Sequence, residues 1–299
     1  MTPPSPLGLF YAVLAFVSWG LFPLYWKAFS SASPWETLSH RAVWSLLVLA
    51  VLVLVSRQIR EVIAVIRSPK RISLLLLTAT LLSTNWALFI YGVISGQVVQ
   101  TSLGYFLTPL VNILLAFVFL KERLTPWQTA AVGLAACGVM HFGWHLGTFP
   151  WIAVGLAVTF GFYGLLRKVV AVTPLTGLLV ETAWMTPIAL VILAGVHRGG
   201  GQTFGTSPGL TALFLGAGII TTLPLLWFNS AAKLLPLSTM GFLQFLAPCL
   251  QLAVGVILFH EPFTARDGVS FVLIWGAIAI YVVTLLRGKS HVVVAPNPD

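Results

Sequence analysis

The chain has 299 residues, of which 58% are hydrophobic and only 8% are charged. A soluble protein of this size would carry roughly 25% charged residues, so the composition indicates an integral membrane protein with little room for a soluble domain. The net charge of +9 does not indicate nucleic-acid binding, because the charged residues lie between apolar segments and form no solvated basic face.

Ten apolar segments are long enough to cross a bilayer as helices, which takes about 20 residues each. They cover residues 7–29, 36–55, 72–94, 98–120, 126–145, 150–171, 176–196, 208–230, 236–259 and 267–286. The first segment has no basic region before it, so we expect a true span and not a cleaved signal peptide. The predicted fold class is all-α integral membrane, followed by a disordered cytoplasmic tail at 291–299.

Lys and Arg are distributed unevenly between alternate connections. If the N-terminus is cytoplasmic, twelve of the sixteen Lys and Arg residues lie on the cytoplasmic side. The positive-inside rule therefore predicts that both termini are cytoplasmic.

The second half of the chain repeats the first. At an offset of 139, the residues Phe106, Leu107, Pro109, Glu122 and Thr125 recur as Phe245, Leu246, Pro248, Glu261 and Thr264. At an offset of 141, the residues Ala12, Val13, Val17, Gly20, Leu24 and Lys27 recur as Ala153, Val154, Val158, Gly161, Leu165 and Lys168. Because five spans per half is an odd number, the second half enters the membrane from the opposite side. This predicts two inverted-topology five-helix repeats, 1–147 and 148–290.

A polar stripe runs along the fourth segment. Its members, spaced at i, i+4, i+7 and i+11 on one helix face, are Thr101, Tyr105, Thr108 and Asn112. Gln244 and Gln251 hold the positions of Tyr105 and Asn112 in the second half. Since polar side chains facing lipid are costly, the stripe and its two counterparts either line a substrate cavity or form hydrogen bonds that only hold helices together. In the first case Tyr105, Asn112, Gln244 and Gln251 are substrate-binding candidates.

Pro109 and Pro248 occupy matched positions inside two of the segments. Each proline removes a backbone donor and predicts a kink in its helix. The kink is either a hinge that moves during function or a static bend.

Glu181 is the only acidic residue well inside an apolar segment. Lys168 lies at a similar depth on the preceding segment, so one interpretation is an ion pair between the two. The other is a contact with a substrate ion or a proton.

The positions in the first half that match Lys168 and Glu181 hold Lys27 and His40, with Arg41 next to the histidine. The cations of this region are Lys27, Arg41, Arg167 and Lys168. Their excess over acids favours an anionic or zwitterionic substrate.

Aromatic residues accompany these charges. Trp44 follows His40 at i+4 and Trp184 follows Glu181 at i+3, so each pair is expected to share a helix face. The remaining substrate-binding candidates are Asn85, Trp86 and Tyr163. Aromatic walls with a few polar groups suit a small organic ligand, although the membrane-interface belt and core packing are the alternatives for any single Trp.

Other residues are assigned structural roles. Glu122 and Glu261 end their segments and are expected to cap the following helix or to pair with nearby bases. Cys137 and Cys249 lie in apolar segments, and packing is expected there instead of a disulfide or a metal site.

Seven motifs resemble the RarD group of EamA transporters, in the drug/metabolite transporter superfamily. They are WGLFPLYWK (19–27), HRAVWS (40–45), NWALFIYGV (85–93), SLGYFLTPLVN (102–112), FYGLLRK (162–168), GLLVETAW (177–184) and LSTMGFLQFLAP (237–248). The resemblance implies ten helices in two inverted repeats, a bacterial inner-membrane location, and a cavity between helices one to four and six to nine. It also implies a link to chloramphenicol. The family commonly places an acid where this chain has Gln100, so proton coupling through that acid is not expected.

The resulting hypothesis is a secondary active transporter, without a cofactor, that exports a small amphipathic metabolite or drug by alternating access. Its expected partners are the small-molecule substrate and the lipid bilayer; coupling to a proton or another ion and the oligomeric state are left open. The alternatives are a channel or a non-transporting scaffold, and an intramembrane enzyme. The sequence contains no HExxH, Ser/His or paired-aspartate motif for such an enzyme and no Walker A motif for ATP hydrolysis.

Overall fold

A computed structural model describes residues 5–144, 148–260 and 265–286. Within these ranges every regular element is helical. The helices of the first half are α1 (Pro6–Trp26, continued by a 3₁₀ turn at Lys27–Phe29), α2 (Pro34–Val55), α3 (Ile59–Ile66), α4 (Pro69–Ile94), α5 (Val98–Phe119) and α6 (Pro126–Trp144). Those of the second half are α7 (Trp151–Val169), α8 (Pro174–Arg198), α9 (Pro208–Leu234), α10 (Leu237–Gln244), α11 (Leu246–Ala253, continued by a π-helical turn at Val254–Leu258) and α12 (Ala265–Leu286).

Four of the long helices begin with the same local signal, a Ser or Thr followed directly by Pro. The capping residues of α1, α2, α8 and α9 are Ser5, Ser33, Thr173 and Ser207. Each side-chain oxygen accepts a hydrogen bond from an N–H of the first turn, and the proline occupies a position that needs no donor. These caps set where the spans start.

Eight helical stretches in the described residues are long and apolar enough to cross a membrane. They are α1, α2, α4, α5, α7, α8, α9 and the combined α10–α11 segment. The prediction of an all-α, multi-pass membrane protein is therefore confirmed. The other two predicted spans correspond to α6 and α12, which pack against each other, with His141 Nδ1 lying 2.9 Å from Ser270 Oγ. The predicted tail at 291–299 lies outside the described residues.

The helices of the two halves pack in matched pairs. α1 packs against α9 and α11, while α7 packs against α4 and α5. In addition, α2 packs against α8, α5 against α10, and α6 against α12. These contacts form the same pattern when each helix of the first half is exchanged with its counterpart in the second half. The counterparts are α1 and α7, α2 and α8, α4 and α9, α5 and α10–α11, and α6 and α12.

Two glycines show the same correspondence at the level of single residues. A Cβ atom on Gly20 would lie 2.5 Å from Leu250 Cβ, and one on Gly161 would lie 2.7 Å from Val111 Cγ1. Gly20 and Gly161 are 141 positions apart, and Val111 and Leu250 are 139 apart. Both crossings therefore need a residue without a side chain, because small residues allow the backbones of membrane helices to approach closely.

The backbone at the ends of α5 and of the α11 segment also matches. Lys121 and His260, 139 positions apart, both adopt the left-handed conformation, with φ of 53° and 55°. This conformation is uncommon for residues other than glycine. The two helix ends therefore share the same uncommon backbone conformation at positions that the predicted repeat matches.

The largest buried cluster lies where α1, α7 and α9 meet. Phe16, Tyr163 and Phe228 are completely buried there, and the rings of Phe16 and Tyr163 lie 6.1 Å and 6.2 Å from that of Phe228. In a bilayer such packing gains dispersion energy without a hydrophobic driving force, since lipid tails are as apolar as the side chains. The cluster fixes α7, on which several candidate residues lie.

Candidate functional site

Arg41 is the centre of one polar site. It lies on α2, about 10 Å from the start of that helix. Its guanidinium carbon is 4.6 Å from the ring centre of Trp26 and 5.0 Å from that of Trp86, and its Nε donates a hydrogen bond of 3.1 Å to Thr221 Oγ1. We call Trp26, Arg41, Trp86, Tyr105 and Thr221 the arginine site.

The charge of Arg41 has no acidic partner in the part of the chain that the structure describes, where the only ion pair joins Arg167 and Glu181. The two Nη groups of Arg41 donate no hydrogen bond to the described residues. The Tyr105 side chain is 36% exposed, its hydroxyl lies within electrostatic range of Arg41, and its ring packs on Phe89 at 5.9 Å. A cation inside a membrane span is costly unless it is neutralised. Its free fork of N–H donors fits a carboxylate or another planar anion.

A narrow cavity continues from the arginine site towards the middle of the helix bundle. It lies between α2, α4, α8 and α9, and it shares Trp86 and Thr221 with the arginine site. Ser45, Thr182 and Thr222 are further lining residues, and within the described ranges the Thr222 hydroxyl has no hydrogen-bond partner. The space holds about one water molecule. Occupation by a larger ligand therefore requires the surrounding helices to separate.

A second polar site is completely buried beside this cavity. We call Thr78, Tyr163, Arg167, Glu181 and Asn229 the buried network; they come from α4, α7, α8 and α9. Thr78 donates a hydrogen bond of 2.6 Å to Glu181 Oε1, and Arg167 Nη1 lies 3.5 Å from the same oxygen. Asn229 donates to the Tyr163 hydroxyl at 3.0 Å, which in turn lies 3.4 Å from Glu181 Oε2. The network thus joins four spans through one carboxylate.

The predicted pairing of Glu181 with Lys168 is wrong. Arg167 points to Glu181, while Lys168 Nζ donates to the carbonyl oxygens of Ala232 and Leu235 at 3.1 Å and 2.5 Å. Successive residues on a helix differ by about 100° in direction, so only one of the two cations can face α8. Lys168 instead neutralises the carbonyl end of α9, a favourable place for a cation.

Arg167 is held tightly but bonded incompletely. Its Nη2 donates to the carbonyl of Pro174 at 3.2 Å, whereas Nε and Nη1 have no hydrogen-bond partner among the described residues. A Cβ atom on Gly177 would lie 1.9 Å from Arg167 Nη1. The absence of a side chain at Gly177 is therefore what gives the guanidinium its place beside Glu181.

The members of the polar stripe have different roles. Thr101 and Thr108 donate hydrogen bonds within α5, to the carbonyls of Val98 and Gly104, both at 2.7 Å. Asn112 is completely buried and donates a hydrogen bond of 2.6 Å to Gln244 Oε1, across the contact of α5 with α10. Gln251 donates to the carbonyl of Trp19 at 3.0 Å, which joins α11 to α1. In the described structure Asn112, Gln244 and Gln251 have the interhelical role that was the alternative interpretation, and only Tyr105 lies at the arginine site.

Asn85 and the pair His40–Trp44 are also engaged in packing. Asn85 donates to the carbonyl of Leu156 at 2.8 Å and to Thr159 Oγ1 at 3.0 Å, which joins α4 to α7. Trp44 Nε1 donates to His40 Nδ1 at 3.2 Å, and the ring of Phe204 stacks on His40 at 4.6 Å. His40 therefore lies beneath the loop between α8 and α9 and away from the Arg41 guanidinium fork.

Two candidates lie at the periphery. The Lys27 side chain is exposed at the end of α1, with Nζ 3.5 Å from the ring centre of Phe259. Trp184 is half exposed and lies with Ile188 and Val191 on the outer face of α8, whereas Glu181 points inward. The expectation that Trp184 and Glu181 share a functional face is therefore wrong, because the i+3 spacing leaves about 60° between them at the edge of the buried face.

The two prolines behave differently although their positions match. α5 continues through Pro109 from Val98 to Phe119 as one helix. The corresponding segment breaks between Gln244 and Leu246, one turn before Pro248. A proline ring clashes with the carbonyl four residues earlier, which for Pro248 is that of Gln244.

Several residues of the two candidate sites were not predicted from the sequence. Trp26, Thr221, Thr78 and Asn229 complete the two sites, and Arg167 was considered only as part of a cation count. Thr78, Thr221 and Asn229 carry the signal of a polar side chain inside a span, but many such residues only form local hydrogen bonds. Their partners are more than 60 positions away and become visible only in the fold.

Two buried acids bind backbone N–H groups of other segments, Glu36 those of the loop before α9 and Glu122 those at the start of α10. Glu36 accepts hydrogen bonds from the N–H groups of Thr203 and Phe204, both of 2.8–2.9 Å. Glu122 accepts from the N–H groups of Leu237 and Ser238 at 2.8 Å and 3.0 Å, so it caps α10 and not the helix that follows it. Glu261 lies outside the described residues. Gln100 accepts from Ile152 N at 3.2 Å, a bond at the first turn of α7 that needs no charge.

Comparison with known proteins connects this architecture to transport. The EamA-like transporter family matches residues 6–143. Protein RarD of Salmonella typhimurium is 44% identical over 92% of this chain and 94% of that protein. A Pseudomonas aeruginosa protein named chloramphenicol-sensitive protein RarD is 30% identical over 92% of this chain and 93% of its own. A crystal structure with 17% identity matches with a TM-score of 0.72 over 94% of this chain and 99% of that chain, which shows the same fold. The chain therefore belongs to the RarD group of the EamA-like transporter family.

Proposed function

We propose that the protein is a secondary active transporter that exports a small amphipathic organic anion or zwitterion across the bacterial inner membrane. The observation that carries this proposal is the arginine site. Arg41 there lies between the faces of Trp26 and Trp86, and within the described part of the chain its fork of donors is free and no acid pairs with it. This arrangement suits a carboxylate or similar anion attached to an apolar or aromatic body.

The proposed architecture is ten spans in two inverted five-helix repeats, 1–147 and 148–290, with both termini cytoplasmic. The exchange symmetry of the helix contacts, the matched crossings of Gly20 and Gly161, and the matched backbone of Lys121 and His260 support the repeat. The distribution of Lys and Arg supports the orientation.

We propose alternating access between two states. In one state the arginine site is open, and in the other the helices that the buried network joins move apart. The network and the Glu122 cap close the half of the bundle where α7 and α9 end and α8 and α10 begin. The break before Pro248 is the proposed hinge on that side, and Pro109 is its proposed counterpart in the first half. Helices that are broken near the repeat interface are typical of secondary transporters.

Transport into proteoliposomes tests this function. Anionic, zwitterionic and neutral compounds, chloramphenicol among them because of the name of the Pseudomonas relative, are offered at equal concentration. A transporter gives saturable uptake and counterflow. A channel gives neither, and a scaffold gives no flux.

Two arginine variants then locate the site. Arg41→Gln is expected to lower the apparent affinity for anionic compounds roughly 10-fold or more, since hydrogen bonds to charged groups contribute about 1.5–3 kcal/mol. The control Arg198→Gln removes the same charge from an exposed position at the end of α8 and leaves the affinity unchanged. Equal losses for anionic and neutral compounds in Arg41→Gln would contradict an anion site.

A further inference from the structure

α3 is a short helix that lies between two membrane spans and presents three different faces. Glu61 and Val65 face the protein, and Val65 is completely buried. Ile59, Ile63 and Ile66 are each more than 40% exposed. At about 100° per residue these three isoleucines form one continuous apolar strip roughly opposite the packed face.

Cations occupy the third face and the helix ends. The exposed basic residues of this region are Arg57, Arg60, Arg67, Lys70 and Arg71. Arg60 and Arg67 lie about 40–60° from Ile63 around the helix, along one edge of the isoleucine strip. None of the five forms an ion pair with a described acid, because the only ion pair in those ranges is Arg167–Glu181. The region therefore combines an exposed apolar strip with an excess of positive charge, five cations against the single acid Glu61.

The connections of α3 fix its depth in the membrane. Three residues separate it from Val55, the end of α2, and two separate it from Pro69, the start of α4. Because both neighbours are membrane spans, α3 is held at the level where hydrocarbon gives way to headgroups. A helix with an apolar strip and a basic edge at this level is typical of binding in the interface plane.

We propose that α3 binds anionic lipid headgroups, with Ile59, Ile63 and Ile66 in the acyl boundary and Arg60 and Arg67 on the phosphates. Opposite charge and fixed depth favour lipid over a soluble partner, which would have to displace the bilayer from the isoleucine strip. The proposal takes only the choice of leaflet, the cytoplasmic one, from the orientation argued above.

This surface is connected to the candidate sites through Glu61. The Glu61 carboxylate accepts hydrogen bonds from Thr173 N at 2.9 Å, Thr173 Oγ1 at 2.7 Å and Thr176 Oγ1 at 3.0 Å. It therefore holds the first turn of α8, the helix that carries Glu181. Lipid bound on one face of α3 stabilises the position of a helix that belongs to the buried network.

Titration of the purified full-length protein in neutral detergent micelles tests the proposal. Phosphatidylglycerol or phosphatidylcholine is added, and bound lipid is counted by native mass spectrometry while thermal unfolding is followed in parallel. Phosphatidylglycerol is expected to bind and to raise the unfolding temperature, and added salt is expected to weaken both effects. Phosphatidylcholine is expected to do neither.

The variants compare two pairs of cations. Arg60→Gln with Arg67→Gln is expected to weaken phosphatidylglycerol binding roughly 30-fold, or about 5-fold for each cation. The matched control is Lys121→Gln with Arg123→Gln, which removes two exposed charges from the connection between α5 and α6. Equal weakening in both pairs, or equal binding of the two lipids, overturns the proposal.

A third variant tests the apolar strip without changing charge. The double variant Ile59→Ser with Ile63→Ser keeps every cation. It is expected to weaken the binding of long-chain phosphatidylglycerol more than the binding of short-chain phosphatidylglycerol. Weakening that is independent of chain length would place the lipid elsewhere. Because these experiments measure lipid binding and not transport, their result is independent of whether the protein exports a substrate.

Discussion

The guanidinium of Arg167 lies 3.5 Å from the carboxylate of Glu181, and both side chains are completely buried. Removing one member of a buried ion pair leaves an uncompensated charge, which typically destabilises a protein by 3–5 kcal/mol. Glu181→Gln and Arg167→Gln are therefore each expected to lower the thermal unfolding temperature strongly. The double variant Arg167→Met with Glu181→Leu is expected to recover most of that loss, because it removes both charges and fills the space.

A double-mutant cycle of unfolding midpoints in detergent measures this coupling. Trp184→Phe, on the exposed face of the same helix, is the control and is expected to leave the midpoint nearly unchanged. If Glu181→Gln instead abolishes transport while the midpoint stays at the wild-type value, Glu181 handles an ion or the substrate and the structural role of the pair is refuted.

Gly177 and Gly195, both on α8, form a matched pair for a second prediction. A Cβ atom on Gly177 would lie 1.9 Å from Arg167 Nη1, whereas one on Gly195 has nothing within 4 Å. Gly177→Ala is expected to cost about 1–3 kcal/mol through overpacking. Gly195→Ala is expected to be neutral or slightly stabilising, since alanine is preferred over glycine in a helix.

Thermal unfolding of the two alanine variants checks this prediction. In the Arg167→Met background the Gly177→Ala penalty is expected to shrink, because the guanidinium that meets the new methyl group is gone. A penalty that is unchanged in that background would assign the clash to a different neighbour.

Glu61 gives a prediction about pH. Partial burial raises the pKa of Glu61, but the hydrogen bonds from Thr173 and Thr176 and the charge of Arg71 outweigh burial and hold the pKa below its ordinary value of 4.5. A carboxylate with a lowered pKa contributes stability that is complete above the ordinary pKa and disappears as the pH falls through the lowered one. Glu61→Gln is therefore expected to unfold at a lower temperature than wild type at neutral pH.

The same contrast in acid provides the internal control. The difference between Glu61→Gln and wild type is expected to narrow as the pH falls below 4.5, because both proteins then carry a neutral group at this position. This prediction is checked by measuring the unfolding midpoints of both proteins from neutral to acid pH. A difference that grows in acid would mean that the pKa of Glu61 is raised and not lowered.

The sequence predicted the all-α, multi-pass architecture correctly because apolar length is a local signal, and eight of the ten predicted spans are long and apolar enough in the described residues. The inverted repeat stays a prediction. Apolar segments long enough to cross a bilayer are visible without a fold, and Gly20 and Gly161 could be matched by their spacing alone. The choice between Arg167 and Lys168 could not be made in this way, because it depends on the rotation of α7 relative to α8. The small helix α3 was missed because a connection of this length carries no span-like hydropathy. Trp26 and Thr221 were missed because Arg41 brings them together only in the folded chain.

Labelling of single cysteines tests the membrane topology. The topology of the second half depends on whether α6 crosses the membrane. In a background without the two native cysteines, an impermeant maleimide added to intact cells is expected to label Ser31→Cys and to spare Arg67→Cys, which fixes the first half. If α6 crosses, the second half is inverted, so Gly201→Cys is labelled and Ala171→Cys is protected. If α6 does not cross, these last two results exchange while the first two stay the same. Labelling of all four positions after permeabilisation shows that each cysteine is reactive, so that protection in intact cells reports the side of the membrane and not burial.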